Sequence, residues 1–179
     1  KGTGISSVSG AGSYYYGASV TIGATVSTGY TWSKWSGTHS TTTQSYTFTM
    51  PTSNVSDTAN ASVVTYTISY TLNGGTATNP TTYDVTTATF TLNNPTKEGY
   101  TFTGWTGSNG TTASTTVSIA KGSIGNKSYT ANFTPILYTI SYTLDGGTVS
   151  TENPTSYDVT TATFTLNNPT KEGYTFTGW

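Results

Sequence analysis

YDVTTATFTLNNPTKEGYTFTGW, residues 83–105, recurs without a mismatch at residues 157–179, and its reading decides the fold. Phe90 and Leu92 alternate with Thr89 and Thr91, and Tyr100 and Phe102 alternate with Thr101 and Thr103. A period of two places successive apolar side chains on one face of an extended strand. Threonine suits the other face, because its branched Cβ favours extended dihedrals and its hydroxyl keeps that face polar. NNP at Asn93 and KEG at Lys97 interrupt the alternation as turns. Tyr100 and Phe102 share a parity that Trp105 lacks, although all three are large aromatics. One extra residue restores Trp105 to the inner face, so the spacing predicts a bulge at Gly104, where glycine tolerates the required dihedrals. Lys34 stands at the matching place near the N-terminus and argues against a bulge there.

Outward from this block the chain keeps repeating. YTISYTLNGG at 66–75 and YTISYTLDGG at 138–147 match at an offset of 72, and GYTWSKW at 29–35 aligns with GYTFTGW at 99–105. The parse is a divergent module over 1–63, a full one over 64–135 and a third over 136–179. Module one has no YTISYTL-like opening before Gly4, and module three has no counterpart of 106–135. The chain therefore reads as a slice of a longer array.

The same alternation marks further strands at Val20, Ile22 and Ala24; Tyr46, Phe48 and Met50; Val117 and Ile119; and Tyr129, Ala131 and Phe133. NGG at Asn73 and DGG at Asp145 are hairpin signals. The expected core is Tyr30, Trp32 and Trp35 in module one. In module two it is Tyr66, Ile68, Tyr70, Leu72, Tyr100, Phe102, Trp105 and Phe133, and in module three Tyr138, Ile140, Tyr142 and Leu144. Helical signal is confined to a turn or two around Ile119–Ile124. The fold class is mainly β, in small tandem modules.

Only 7% of the 179 residues are charged. The polarity resides in 46 threonines and 22 serines, and the basic residues are six lysines with no arginine. A net charge of −1 excludes the clustered cations that nucleic acid or an anionic membrane requires. No apolar run is long enough to insert into a bilayer as a helix. Without cysteine, thiolate catalysis, Cys-ligated zinc and disulfides are excluded.

YTISYTLNGGT, NPTTYDV, FTLNNPTKEGYTFTGW and SYTANF resemble the Listeria-Bacteroides repeat, also called the internalin B-repeat. GASVTIGATVSTGYTWSKWSG in module one is similar to the divergent branch of that repeat. The resemblance implies a small β-grasp, ubiquitin-like module, strung in tandem on secreted bacterial surface proteins as spacer, stalk or adhesive segment. It implies no catalysis and no cofactor. This chain carries far less charge than usual members.

Candidate chemistry is thin. Asp84 and Asp158 occupy one repeat position and Glu98 and Glu172 another, and an acid recurring once per module reads as a turn or cap. His39 reads as a solvated loop histidine. The sequons at Asn54, Asn60, Asn109, Asn126 and Asn132 are as many as composition alone supplies. A Lys–Asn or Thr–Gln crosslink finds little support around Lys97 and Gln44. Tyr14, Tyr15 and Tyr16, taken as consecutive strand residues, cannot all face inward, so they are the candidate contact surface. The expected role is a non-catalytic stalk, spacer or adhesin segment at a bacterial surface or in the medium. A filament subunit joined by strand addition is the alternative, and a module binding host glycan or protein is the second. Partners are neighbouring modules, other copies, or a host glycan or protein.

Overall fold

The computed structural model describes all 179 residues and is built of strands, turns and loops without a helix. The chain divides into two compact units, one of residues 1–69, 80–92 and 118–128 and the other of 70–79, 93–117 and 129–179.

The first unit opens with β1 (Ile5–Ser9), β2 (Ser19–Val26), β3 (Tyr30–Gly37), β4 (Ser45–Thr49) and β5 (Asp57–Val63). These make a three-stranded sheet of order β1-β2-β4 and a two-stranded β3-β5 sheet, all antiparallel. Ile5, Val20, Ile22, Trp35 and Ala59 are buried together, with Trp32, Tyr46, Phe48 and Met50 packed against them. The inward positions of β2 and β4 follow the alternation read from the sequence.

β6 (Tyr66–Thr71) pairs with β7 (Thr82–Tyr83), and β9 (Tyr100–Gly107) pairs with β10 (Gly110–Ser114) and β12 (Lys127–Pro135). β8 (Phe90–Thr91) pairs with β11 (Ser118–Ile119). In sequence terms β8–β11 repeats β2–β4, and β9–β12 repeats β3–β5. Ile68, Tyr83, Leu92 and Ile119 are buried in the first unit, and Trp105, Val117, Tyr129 and Ala131 in the second. Repeat three contributes β13 (Tyr138–Thr139), β14 (Ser156–Tyr157) and a bridge between Thr148 and Thr170.

The bulge expected at Gly104 is present: Phe102 pairs with Phe133 and Gly104 with Asn132, leaving Thr103 as the extra residue. Trp105 is thereby fully buried, edge-on to Phe102 at 5.5 Å and close to Tyr70 at 5.9 Å. Repeat one has the same bulge, between Trp32 and Lys34, so the lysine does not prevent it. The reason lies across the ladder, where Asn60 Nδ2 donates to Lys34 O (3.2 Å), Ser36 Oγ (2.8 Å) and Thr58 O (2.9 Å). Asn132 Nδ2 does the same to Gly104 O (2.9 Å), Thr106 Oγ1 (3.1 Å) and Thr130 O (3.2 Å). A carboxamide thus satisfies the carbonyl that the bulge tips out of the ladder.

Two further expectations are corrected. Ile119–Ile124 is not helical: it ends β11 and enters a turn in which Ser123 N bonds Ala120 O, since the run is too short to repay helix nucleation. Tyr138, placed in the core by its alternation, is 41% exposed: β13 spans only two residues, and its ring stacks on Tyr157, itself exposed, at 5.4 Å.

Candidate functional site

Tyr14, Tyr15 and Tyr16 lie in the loop before β2 and not in a strand. All three are exposed, Tyr15 at 92% and Tyr16 at 76%, and the Tyr14 hydroxyl donates to Gly10 O at 3.1 Å. A loop has no parity, so the exposure of the trio comes from the loop and not from strand geometry.

His39 is a loop residue but half-buried and bonded, not the freely solvated histidine its polar sequence setting suggests. Its Nδ1 lies 2.7 Å from Asp57 Oδ2, its backbone N donates to Asp57 Oδ1 at 2.7 Å, and its ring packs 4.3 Å from Phe48. The strand pairing that sets Gly37 opposite Asp57 carries His39 over this carboxylate. An apolar neighbour on one side and two charge-assisted bonds on the other make it a clasp between strands.

The acids of Asp84 and Asp158 build identical turns. Asp84 Oδ1 accepts from Thr86 N and Thr86 Oγ1, each at 2.7 Å, and from Thr87 N at 3.1 Å. Asp158 Oδ1 accepts from Thr160 N at 2.7 Å and Thr160 Oγ1 at 2.6 Å. In each, the threonine hydroxyl holds the carboxyl below the usual carboxylate range, with the backbone N–H adding to it. Asn73 and Asp145 are the non-glycine residues with positive φ, both at 49°, as hairpin turns demand. Lys97 Nζ reaches Asn73 O at 2.9 Å and lies 4.0 Å over the Tyr100 ring. Asn73 gives its own amide to Ala131 O at 2.8 Å, so lysine and carboxamide serve the turn separately. No three His, Asp or Glu side chains stand close enough to share a metal ion.

The aromatic cluster under β12 recurs in repeat three. Tyr142 and Phe176 flank Trp179 at 5.5 and 5.6 Å, with ring angles of 57° and 69°, against 59° and 68° for Tyr70 and Phe102 around Trp105. In repeat two Tyr129 and Phe133 of β12 cover that cluster. In repeat three Leu144, Gly147, Tyr174, Phe176 and Trp179 line an open groove of about 330 Å³, and Trp179 is 53% exposed. Burial drives the Tyr70 hydroxyl up to about 12, with the neighbouring Tyr129 adding to the shift.

A repeated all-β unit whose distinctive polar groups serve turns, bulges and clasps defines a class of tandem repeat modules. Residues 1–63 match the divergent InlB B-repeat domain, and 66–132 and 138–179 match the Listeria-Bacteroides repeat domain. The chain belongs to the Listeria-Bacteroides repeat family, whose members are typically repeat modules of bacterial surface or secreted proteins and are generally non-catalytic. No curated protein and no solved structure matches the chain.

Proposed function

We propose that this chain is a stalk or spacer segment of a bacterial surface-attached or secreted protein, made of β-grasp-like modules over 1–63, 64–135 and 136–179. The observation that carries the reading is the recurrence of the same load-tying devices. The carboxamide-filled bulge closes the β3–β5 and β9–β12 ladders, and the Asp-clamped turn recurs at Asp84 and Asp158. A binding or catalytic centre needs one special constellation, whereas a spacer needs the same robust unit many times. Stretching single molecules from both termini tests it. Discrete unfolding peaks support the reading, and a featureless extension overturns it.

A second reading, assembly by strand addition, has the low charge of the chain as its support, since six lysines leave exposed strand edges little guarded. Light scattering over a concentration series tests it: growth of fibres is expected, and a constant monomer mass overturns it. An adhesive role for Tyr14, Tyr15 and Tyr16 toward a host glycan or protein has their exposure as its support.

A further inference from the structure

The Asp-clamped turns each meet a glycine of the preceding repeat. Gly29 is buried in the turn closed by Tyr30 N to Ser27 O, with φ +80°, and a Cβ placed on it would overlap Val85 Cγ1 and lie 3.0 Å from Val85 Cβ. Seventy residues on, Gly99 sits in the turn closed by Tyr100 N to Lys97 O, with φ +73°, and a Cβ there would overlap Val159 Cγ1 and lie 3.2 Å from Val159 Cβ. Beside each contact the following segment adds the same backbone bond, Val64 N to Gly29 O and Ile136 N to Gly99 O, both 2.9 Å. Val85 and Val159 each follow the aspartate of an Asp-clamped turn. Gly173 makes the same turn at φ +77° with nothing within 4 Å of such a Cβ, so the turn alone does not create the contact.

We infer that each glycine is a socket and each turn valine a knob, and that with the backbone bond they form an intermodular joint that sets the angle between successive repeats. The grouping of the chain agrees. Residues 80–92, which carry Val85, fall in one compact unit with Gly29, and Val159 falls in one unit with Gly99, so the division passes through repeat two and not through either linker. Only glycine lets a backbone accept a branched side chain this closely while holding a positive φ. The aspartate is then a positioning residue that aims the knob, which gives the recurring carboxylate a purpose beyond its own turn. Tyr16 holds the matching position of repeat one, in the turn closed by Ala18 N to Tyr15 O.

The contacts stand without the spacer reading; the mechanical use of the joint rests on it. The absence of cysteine allows spin labels to be placed at Thr111→Cys and Thr163→Cys in the full chain, both exposed positions, and the distance distribution between repeats two and three measured. A single narrow distribution is expected. Val159→Ala, at a residue 50% exposed, should at least double its width with the circular dichroism spectrum unchanged, and Gly99→Ala should shift its centre as well. Combining the two should give a narrower distribution than Gly99→Ala alone, because removing the γ-methyls makes room for the new methyl, a coupling that turn strain by itself does not produce. Unchanged width in Val159→Ala, or an effect of Gly99→Ala that Val159→Ala does not relieve, overturns the joint. Failure of the stretching experiment would leave these outcomes untouched and remove the spacer role alone.

Discussion

Trp105 and Trp179 hold the same place in identical stretches of sequence, yet one is fully buried and the other 53% exposed. The difference isolates what covering is worth. Trp105→Ala removes a ring held by Phe102, Tyr70 and Tyr129 and by a bond from Nε1 to Asn94 Oδ1 at 3.2 Å. It should cost about 3–5 kcal/mol, read as a fall in the urea midpoint, whereas Trp179→Ala should cost less than half of that. Equal losses would mean that burial does not govern the site. Alternation made the inward face of Ile68 and Val20 legible, because period two is a local property, and the break in it pointed to the bulge that turns Trp105 inward. How deeply a residue is buried was not legible, since it depends on a covering segment elsewhere, as the exposure of Tyr138 shows. His39 was misread for the same reason: its carboxylate partner lies 18 residues away and only the β3–β5 pairing brings it near.

At the scale of turns and strands, the bulge of β9 tests how far glycine is required. A Cβ on Gly104 would stand 2.6 Å from Ser114 N, and φ there is +136°. Gly104→Ala should therefore destabilise repeat two by about 1–3 kcal/mol, measured by chemical denaturation, while Lys34→Ala at the matching bulge should be close to neutral. The sequence showed the bulge through its broken parity but hid the asparagine that fills it, since Asn60 and Asn132 read only as part of two sequons. The Asp-clamped turns carry a pH dependence. Their folded carboxyls sit below the unfolded value of about 3.9, so their stabilisation is complete above that value and is lost as pH falls through the depressed one. Asp84→Asn with Asp158→Asn keeps an acceptor oxygen and abolishes the titration. The drop in melting temperature between neutral pH and about pH 3 should shrink in this double variant, and an undiminished drop would place the acid sensitivity elsewhere.

For the molecule as a whole, low charge leaves apolar surface and backbone pairing to govern what the repeats meet. Six lysines among 179 residues give little protection to exposed backbone, and the groove of repeat three leaves Trp179 of its aromatic cluster half-exposed. The segment that fits such a groove is already present in the chain: β12, residues 127–135, sets Tyr129 and Phe133 over the rings of repeat two and offers Ala131 O to the Asn73 amide. Asp145 stands where Asn73 stands and cannot donate that bond, so the fit at repeat three rests on the rings and the backbone ladder. A synthetic peptide KSYTANFTP, copied from residues 127–135, should therefore bind the full chain and shift its tryptophan emission to the blue, as Trp179 leaves water. Trp179→Phe should abolish the shift, and a peptide with serine in place of the Phe133 side chain should fail to produce it. If the parent peptide leaves the emission unchanged at saturating concentration, repeat three does not accept a strand, and assembly through this groove is ruled out while the joints at Gly29 and Gly99 stand unaffected.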